Sequence, residues 1–340
     1  MGISLARFVL RRSFLQLFVL FGVTLLTYFL MFVMPGDPAV LLADTGGMDP
    51  EIIEEFRKRW GFDRPAHEQY LAYMGNLVKG NFGVSLVTKV PVSTQIGNFL
   101  PATAELSILA FFMAVVISIP LGIFAAVNRN RIGDQTVRLF SLFGVSMPIF
   151  WLAIILLLVF FYHLDLLPSA QRIALNKPIP ESITGFLLID TLLHGDISGF
   201  GSALHHLILP AFVLAFSIVG LLTRITRTSM LEVLGQDYIR TARAKGLSSR
   251  VVLYRHALKN ALIPTVTILG LAVGALLSGA VLTETIFAWP GLGRFLVQSI
   301  LFMDRAAVVG VTLIVAIAYS MANLVVDVLI ALIDPRVTYD

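Results

Sequence analysis

The residue types that do chemistry are present in this 340-residue chain, but rarely at the spacing chemistry needs. A zinc hydrolase of the H-E-x-x-H type sets two histidines one helical turn apart. Here His67-Glu68 runs on into Gln69-Tyr70-Leu71. His205 and His206 are adjacent, so on a helix their rings diverge, and the pair reads as interfacial or hydrogen-bonded histidine. There is no G-x-S-x-G elbow for a serine nucleophile. A G-x-x-x-x-G-K-[ST] phosphate loop is also missing, so ATP binding by that route is not expected. The absence of cysteine excludes disulfides, thiolate metal sites and cysteine nucleophiles. No catalytic, cofactor-binding or metal site is expected in the chain. What remains is one long basic segment, Leu231–Pro264, whose residues look made for contact rather than catalysis.

The elements that carry this segment follow from composition. Only 14% of residues are charged and 57% are apolar, with a mean hydropathy of +0.86. A soluble domain carries about 25% charge, so a soluble enzyme, a disordered chain and a nucleic-acid binder with a basic face are all excluded. Six charge-free runs are identified as membrane spans: Ser13–Met34, Leu106–Val127, Leu139–Tyr162, Leu207–Thr223, Ala261–Thr283 and Ala306–Val326. Their lengths are 22, 22, 24, 17, 23 and 21 residues. About 20 apolar residues cross a bilayer, so only the fourth is short. The first run is too long for a signal peptide and has no small-x-small cleavage site after it, so it is read as a retained anchor. The fold expected is all-α integral membrane with six transmembrane helices.

Basic residues orient these spans. Residues 1–12 carry three Arg and no acid, and loop 128–138 has Arg129, Arg131 and Arg138 against Asp134. Loop 224–260 has eight basic residues against Glu232 and Asp237, whereas loops 35–105 and 163–206 are acidic. Both termini are therefore expected in the cytoplasm. The organisation expected is a cytoplasmic N-terminus at 1–12, a first transmembrane helix at 13–34 and a folded external segment at 35–105. A five-helix core at 106–331 with cytoplasmic loop 224–260 follows, then a tail at 332–340. Within the external segment, Asp49 and Pro50 suit a helix start, and Ile52, Ile53, Phe56 and Trp60 share one face up to Gly61. Gly270 and Gly274 form a G-x-x-x-G close-packing face, continued by Ala275, Ser278 and Gly279. Ionisable groups near spans are functional candidates by default, and Glu105 and Asp327 stand out. No inverted repeat is visible, and the spans are nearly neutral, so any driving force for transport lies elsewhere.

The segment LEVLGQDYIRTARAKGLSSRVVLYRHALKNALIP is long, basic and helical in propensity, with small residues Thr241, Ala242, Ala244 and Gly246 between its charges. It resembles the coupling loop of bacterial ABC importer permeases, in which E-A-A, three residues and Gly precede an apolar-x-Pro ending. Arg240-Thr241-Ala242 stands in the E-A-A place, Gly246 is the glycine, and Ile263-Pro264 is similar to the ending. Asp237 to Leu247 resembles the oligopeptide/dipeptide branch closely. So do Met34-Pro35-Gly36-Asp37-Pro38, Asn81-Phe82-Gly83-Val84-Ser85 and Thr283-Glu284-Thr285-Ile286-Phe287-Ala288-Trp289-Pro290-Gly291-Leu292-Gly293-Arg294. The Leu187-Leu188-Ile189-Asp190 region looks most like the dipeptide members.

The resemblance implies a type I-like permease of the bacterial inner membrane. It would pair with a homologous second permease, two cytoplasmic ATPases that bind ATP and Mg, and an external protein that delivers a di- or oligopeptide. A coupling helix at about Asp237–Ser249 would dock on the ATPase through Asp237, Tyr238, Arg240, Thr241, Ala242, Arg243, Lys245, Gly246 and Ser248. Gly246 would let the chain turn, and a bulky residue there is expected to disturb it. The Trp289-Pro290-Gly291-Leu292-Gly293 stretch reads as a fixed turn at least as readily as a gate. Glutathione or a nickel chelate would be alternative cargoes of such a permease. A self-contained channel or secondary carrier is the alternative from another class.

Overall fold

A computed structural model describes residues 2–33, 54, 58, 63–85 and 87–333. The Met34–Pro38 motif, residues 334–340 and all but Glu54 and Lys58 of the helix expected at Met48–Gly61 lie outside the described residues, as does the side chain of Asp327. Among the described residues every regular element is helical, apart from a bridge between Val84 and Pro91. Among the described residues five helices are long and apolar enough to cross a membrane, and a bent pair makes six if it counts as one span.

The first span is α1, Gly2–Val33. Helix α2, Ala66–Val78, starts after Pro65 and lies against its far end. There the Thr24 hydroxyl and the Tyr70 phenol are 3.1 Å apart, and the Tyr28 and Tyr70 rings meet edge to face. The second span is α3, Val92–Val127, 36 residues long. It buries Ala102, Leu106, Ala110, Ala114, Ser118, Gly122 and Ala126. Their spacing of four draws one stripe of mostly small side chains, which admits a neighbouring backbone closely.

The third predicted span is not one rod. Helix α4, Ile132–Ser146, and helix α5, Ile149–Leu156, with its π-helical extension Leu157–His163, meet at 110°. The cause is Pro148: the residue before a proline is driven out of the helical region. Met147 accordingly sits at ψ 128° and Pro148 at ψ 132°. A count of apolar residues does not register this.

The short fourth span belongs to a helix of 38 residues, α7, Ile197–Leu234, preceded by the small α6 at Leu187–Leu193. Charges at Arg224 and Arg227 end the apolar run, yet no backbone breaker stops the helix before Gly235. At 1.5 Å per residue it is about 57 Å long, nearly twice the hydrocarbon thickness. In its apolar window 72% of residues are buried, against 17–33% in the other four long helices. The bundle is therefore organised around α7, which packs on α3, α4 and α10.

After α7 come α8, Asp237–Ala244, and the short α9, Ser249–Val251. A π-helical turn at Val252–Ala257 then leads into α10, Leu258–Ile286. Helix α11, Leu292–Leu301, and helix α12, Arg305–Ile333, are the last described elements. The G-x-x-x-G face closes this last part of the bundle. A Cβ on Gly270 would stand 2.6 Å from Val326 Cγ1, and one on Gly274 would collide with the Tyr319 ring. Its partner is thus α12 of the same chain.

Candidate coupling site

Helix α8 lies across the ends of the long helices. Asp237 in its first turn and Arg243 in its last suit the helix dipole. Its inward residues are Ile239 and Ala242, 0% and 7% exposed. They join Ile123 and Ala126 of α3, Met230 of α7, and Val252, Ala257 and Ala261 in one apolar cluster. Tyr238 adds a polar tie, its hydroxyl accepting from Asn260 Nδ2 at 2.8 Å. The helix is therefore seated on the bundle.

The opposite face is free. Asp237, Arg240, Thr241, Arg243, Lys245 and Ser248 are all exposed, and Arg240 lies 3.4 Å from Asp237 in an open pair. The expected docking residues thus divide. Ala242 faces the chain's own core and holds the helix, while the charged and hydroxyl side chains face out. Beside them a groove of about 370 Å³ is bounded by Val127, Leu234, Arg243 and Leu253.

The helix is also shorter than the Asp237–Ser249 expected from sequence. It stops at Ala244 in a Schellman-type cap. The Gly246 N–H donates to Arg243 O at 2.9 Å and the Leu247 N–H to Ala242 O at 3.4 Å. Gly246 has φ +78°, the left-handed conformation that glycine adopts without cost, and nothing stands within 4 Å of its missing Cβ. Its role is one of backbone shape. Ser248, beyond the turn, begins the return to α10 with a backbone acceptor for Val252 N–H.

At the other end of the bundle, buried carboxylates do the fastening. Glu105 accepts from Arg172 at 2.6 Å and from the Leu188 N–H at 2.8 Å. Arg172 also reaches Gly185 O and lies over the Trp289 ring, 5.8 Å from its centroid. The ionisable group flagged near a span end thus anchors the connection between α5 and α7. Asp190 takes the Thr184 hydroxyl, the Thr184 N–H and the Gly185 N–H. Burial pushes its carboxyl up, but these hydrogen bonds outweigh that and hold its pKa below the ordinary 3.8.

Sequence reasoning missed Glu284, which is fully buried. Its carboxylate accepts from Thr103 Oγ1 at 2.6 Å and from Arg294 N–H at 2.9 Å, capping the start of α11. A Cβ on Gly291 or Gly293 would run into that carboxylate. Trp289, 1% exposed, donates from Nε1 to Ala102 O at 2.9 Å. The Trp-Pro-Gly-Leu-Gly stretch is therefore a fixed turn. The signal available was an acid placed seven and nine residues before two glycines, where a cap needs room. The two adjacent histidines bond to different backbone carbonyls, His205 to Leu166 and His206 to Ser202.

Long apolar helices, a kinked crossing and a basic helix seated across their ends define a multi-spanning integral membrane protein. The chain belongs to the family of binding-protein-dependent transport system inner membrane components, whose model matches residues 118–339. A companion model for the N-terminal part of such membrane components matches residues 5–107. The chain is 46% identical over 319 residues to the probable D,D-dipeptide transport system permease protein DdpB of Escherichia coli (strain K12), covering 94% of each. It is also 46% identical to the di/tripeptide transport system permease protein DppB of Pseudomonas aeruginosa (strain UCBPP-PA14), over 98% of each chain. With the dipeptide transport system permease protein DppB of Escherichia coli (strain K12) it shares 42% over 335 residues, 98% of this chain and 99% of that one. It is thus a multi-pass protein of the bacterial inner membrane and a permease component of an importer.

Proposed function

We propose that this chain forms half of the translocation path for di- or oligopeptides in an ATP-driven importer. The second half would be a homologous permease, the cargo would come from an external binding protein, and two cytoplasmic ATPases would hold ATP and Mg. The observation that carries the peptide reading is the near full-length identity of 42–46% to permeases named for dipeptides and tripeptides. Both termini and α8 are assigned to the cytoplasm, in keeping with the basic loops.

The mechanism follows from how α8 is held. ATPase closure would push on the exposed Arg240, Thr241, Arg243 and Lys245, and the basic charges would steer and orient the contact. Because Ile239 and Ala242 are locked into the ends of α3, α7 and α10, displacement of α8 becomes tilt of those helices. Alternating access then requires no chemistry in this chain.

Uptake of labelled dipeptides, longer peptides and nickel by cells with and without the gene tests this reading. Loss of dipeptide uptake on deletion, restored by the gene, is expected. Intact peptide uptake with loss of nickel uptake would overturn the cargo assignment.

A further inference from the structure

Between α4 and α7, at the end of the bundle that carries α8, lies a cavity of about 370 Å³ lined by Arg138, Arg224 and Arg227. The carboxylate at this place is Asp134, which is fully buried. It takes Arg227 in two hydrogen bonds of 2.6 and 2.8 Å and lies 3.9 Å from Arg138. Arg224 is exposed and has no ion pair among the described residues. Three guanidiniums against one carboxylate leave a formal charge of +2 at the rim.

The rest of the lining is not charged. Thr223 lines the same cavity and is 0% exposed, and its Oγ1 has no hydrogen-bond partner. That hydroxyl is closed off from the cavity, so the contacts the cavity offers are its guanidiniums and its apolar side chains. Deeper along α4, toward the break at Pro148, the lining turns to Leu142 and Val145, which are 61% and 47% exposed. Along α4 the lining passes from cation to hydrocarbon.

That order matches an amphiphile lying at a membrane surface. We propose that this cavity binds an anionic phospholipid. The phosphate sits on Arg138 and Arg224, whose planar guanidiniums suit a phosphate diester. An acyl chain covers Leu142 and Val145. Basic pockets between membrane helices recognise anionic headgroups in this way. Inorganic phosphate or a peptide carboxylate would use the rim and leave the apolar end unfilled. A lipid here would brace α4 against α7, the helix that leads directly into α8.

The test uses the full chain within its assembled transporter, in nanodiscs of phosphatidylcholine containing phosphatidylglycerol, with retained lipid read by native mass spectrometry. Phosphatidylglycerol should be retained over phosphatidylcholine. The double variant Arg138→Gln, Arg224→Gln should lower its retention about tenfold or more. Leu142→Trp, which fills the apolar end without touching charge, should lower it too, and thermal unfolding checks that both variants remain folded. Equal retention of the two lipids, unchanged retention in both variants, or displacement by inorganic phosphate or a dipeptide would overturn the proposal. Transport is not the readout, so either result leaves the import reading untouched.

Discussion

The turn at Gly246 separates two reasons for requiring glycine, and the structure chooses between them. A glycine can be needed for room or for its backbone angle. No atom stands within 4 Å of the position a Cβ would take, so room is available. The angle, φ +78°, is the constraint. An L-residue in the left-handed region costs roughly 1–2 kcal/mol, and asparagine less because its side chain bonds locally. With 1.4 kcal/mol per factor of ten, Gly246→Ala should shift the turn equilibrium about 5- to 30-fold toward the uncapped form. Gly246→Val should shift it further through its β-branch, whereas Gly246→Asn, though larger than alanine, should lie nearest to wild type. Hydrogen exchange of the 237–247 segment should report fraying in the order Asn, Ala, Val. Peptide uptake coupled to ATP hydrolysis in the reconstituted transporter should fall in the same order. If Ala matched Gly while Asn failed, volume rather than φ would govern the site, and a partner surface filling the open space would be the better account.

Three further outcomes are expected. Arg172→Leu leaves the Glu105 carboxylate, 6% exposed, without its cation; breaking such a buried pair should cost about 3–5 kcal/mol and lower Tm, while Glu105→Gln, which can still accept from Leu188 N–H, should cost less. Because the folded pKa of Asp190 is depressed, its contribution to stability is fully present above 3.8 and is lost as pH falls through the lower folded value; Asp190→Asn should lower Tm at neutral pH, by a margin that narrows on acidification. With no native thiol in the chain, Ser248→Cys should react with an impermeant thiol reagent only after spheroplasts are opened, and Leu175→Cys, at an 88% exposed position, should react from outside; the reverse pattern would invert the assigned topology.

The parts of this fold legible in the sequence are those set by composition over many residues. Apolar runs locate the long helices, and Gly246 announces its turn because few residues tolerate that backbone. Limits fail where a run is bounded by charge instead of by a backbone breaker. Arg224 and Arg227 end the apolar count of α7, yet Arg227 is neutralised by Asp134, ninety-three residues earlier, and the helix continues. Pro148 errs in the opposite sense, hidden in sixteen Leu, Ile, Val and Phe residues and still able to turn the chain by 110°. Hydropathy sums over both; backbone geometry does not.

The coupling segment shows the same division inside eight residues. Its outward charges and its glycine are readable as residue types, because exposure and a left-handed angle are local demands. Ala242 is not, since a small side chain fits a docking face and a close-packed core equally well, and only the register of α8 against Met230 and Ala261 turns it inward. Under the function proposed above, that register would make the segment a lever. A helix held only by flanking loops would absorb a push, whereas one keyed through Ile239 and Ala242 to three long helices would pass it on. Helix α8 therefore presents two surfaces back to back: an exposed polar one, and an apolar one packed on the bundle.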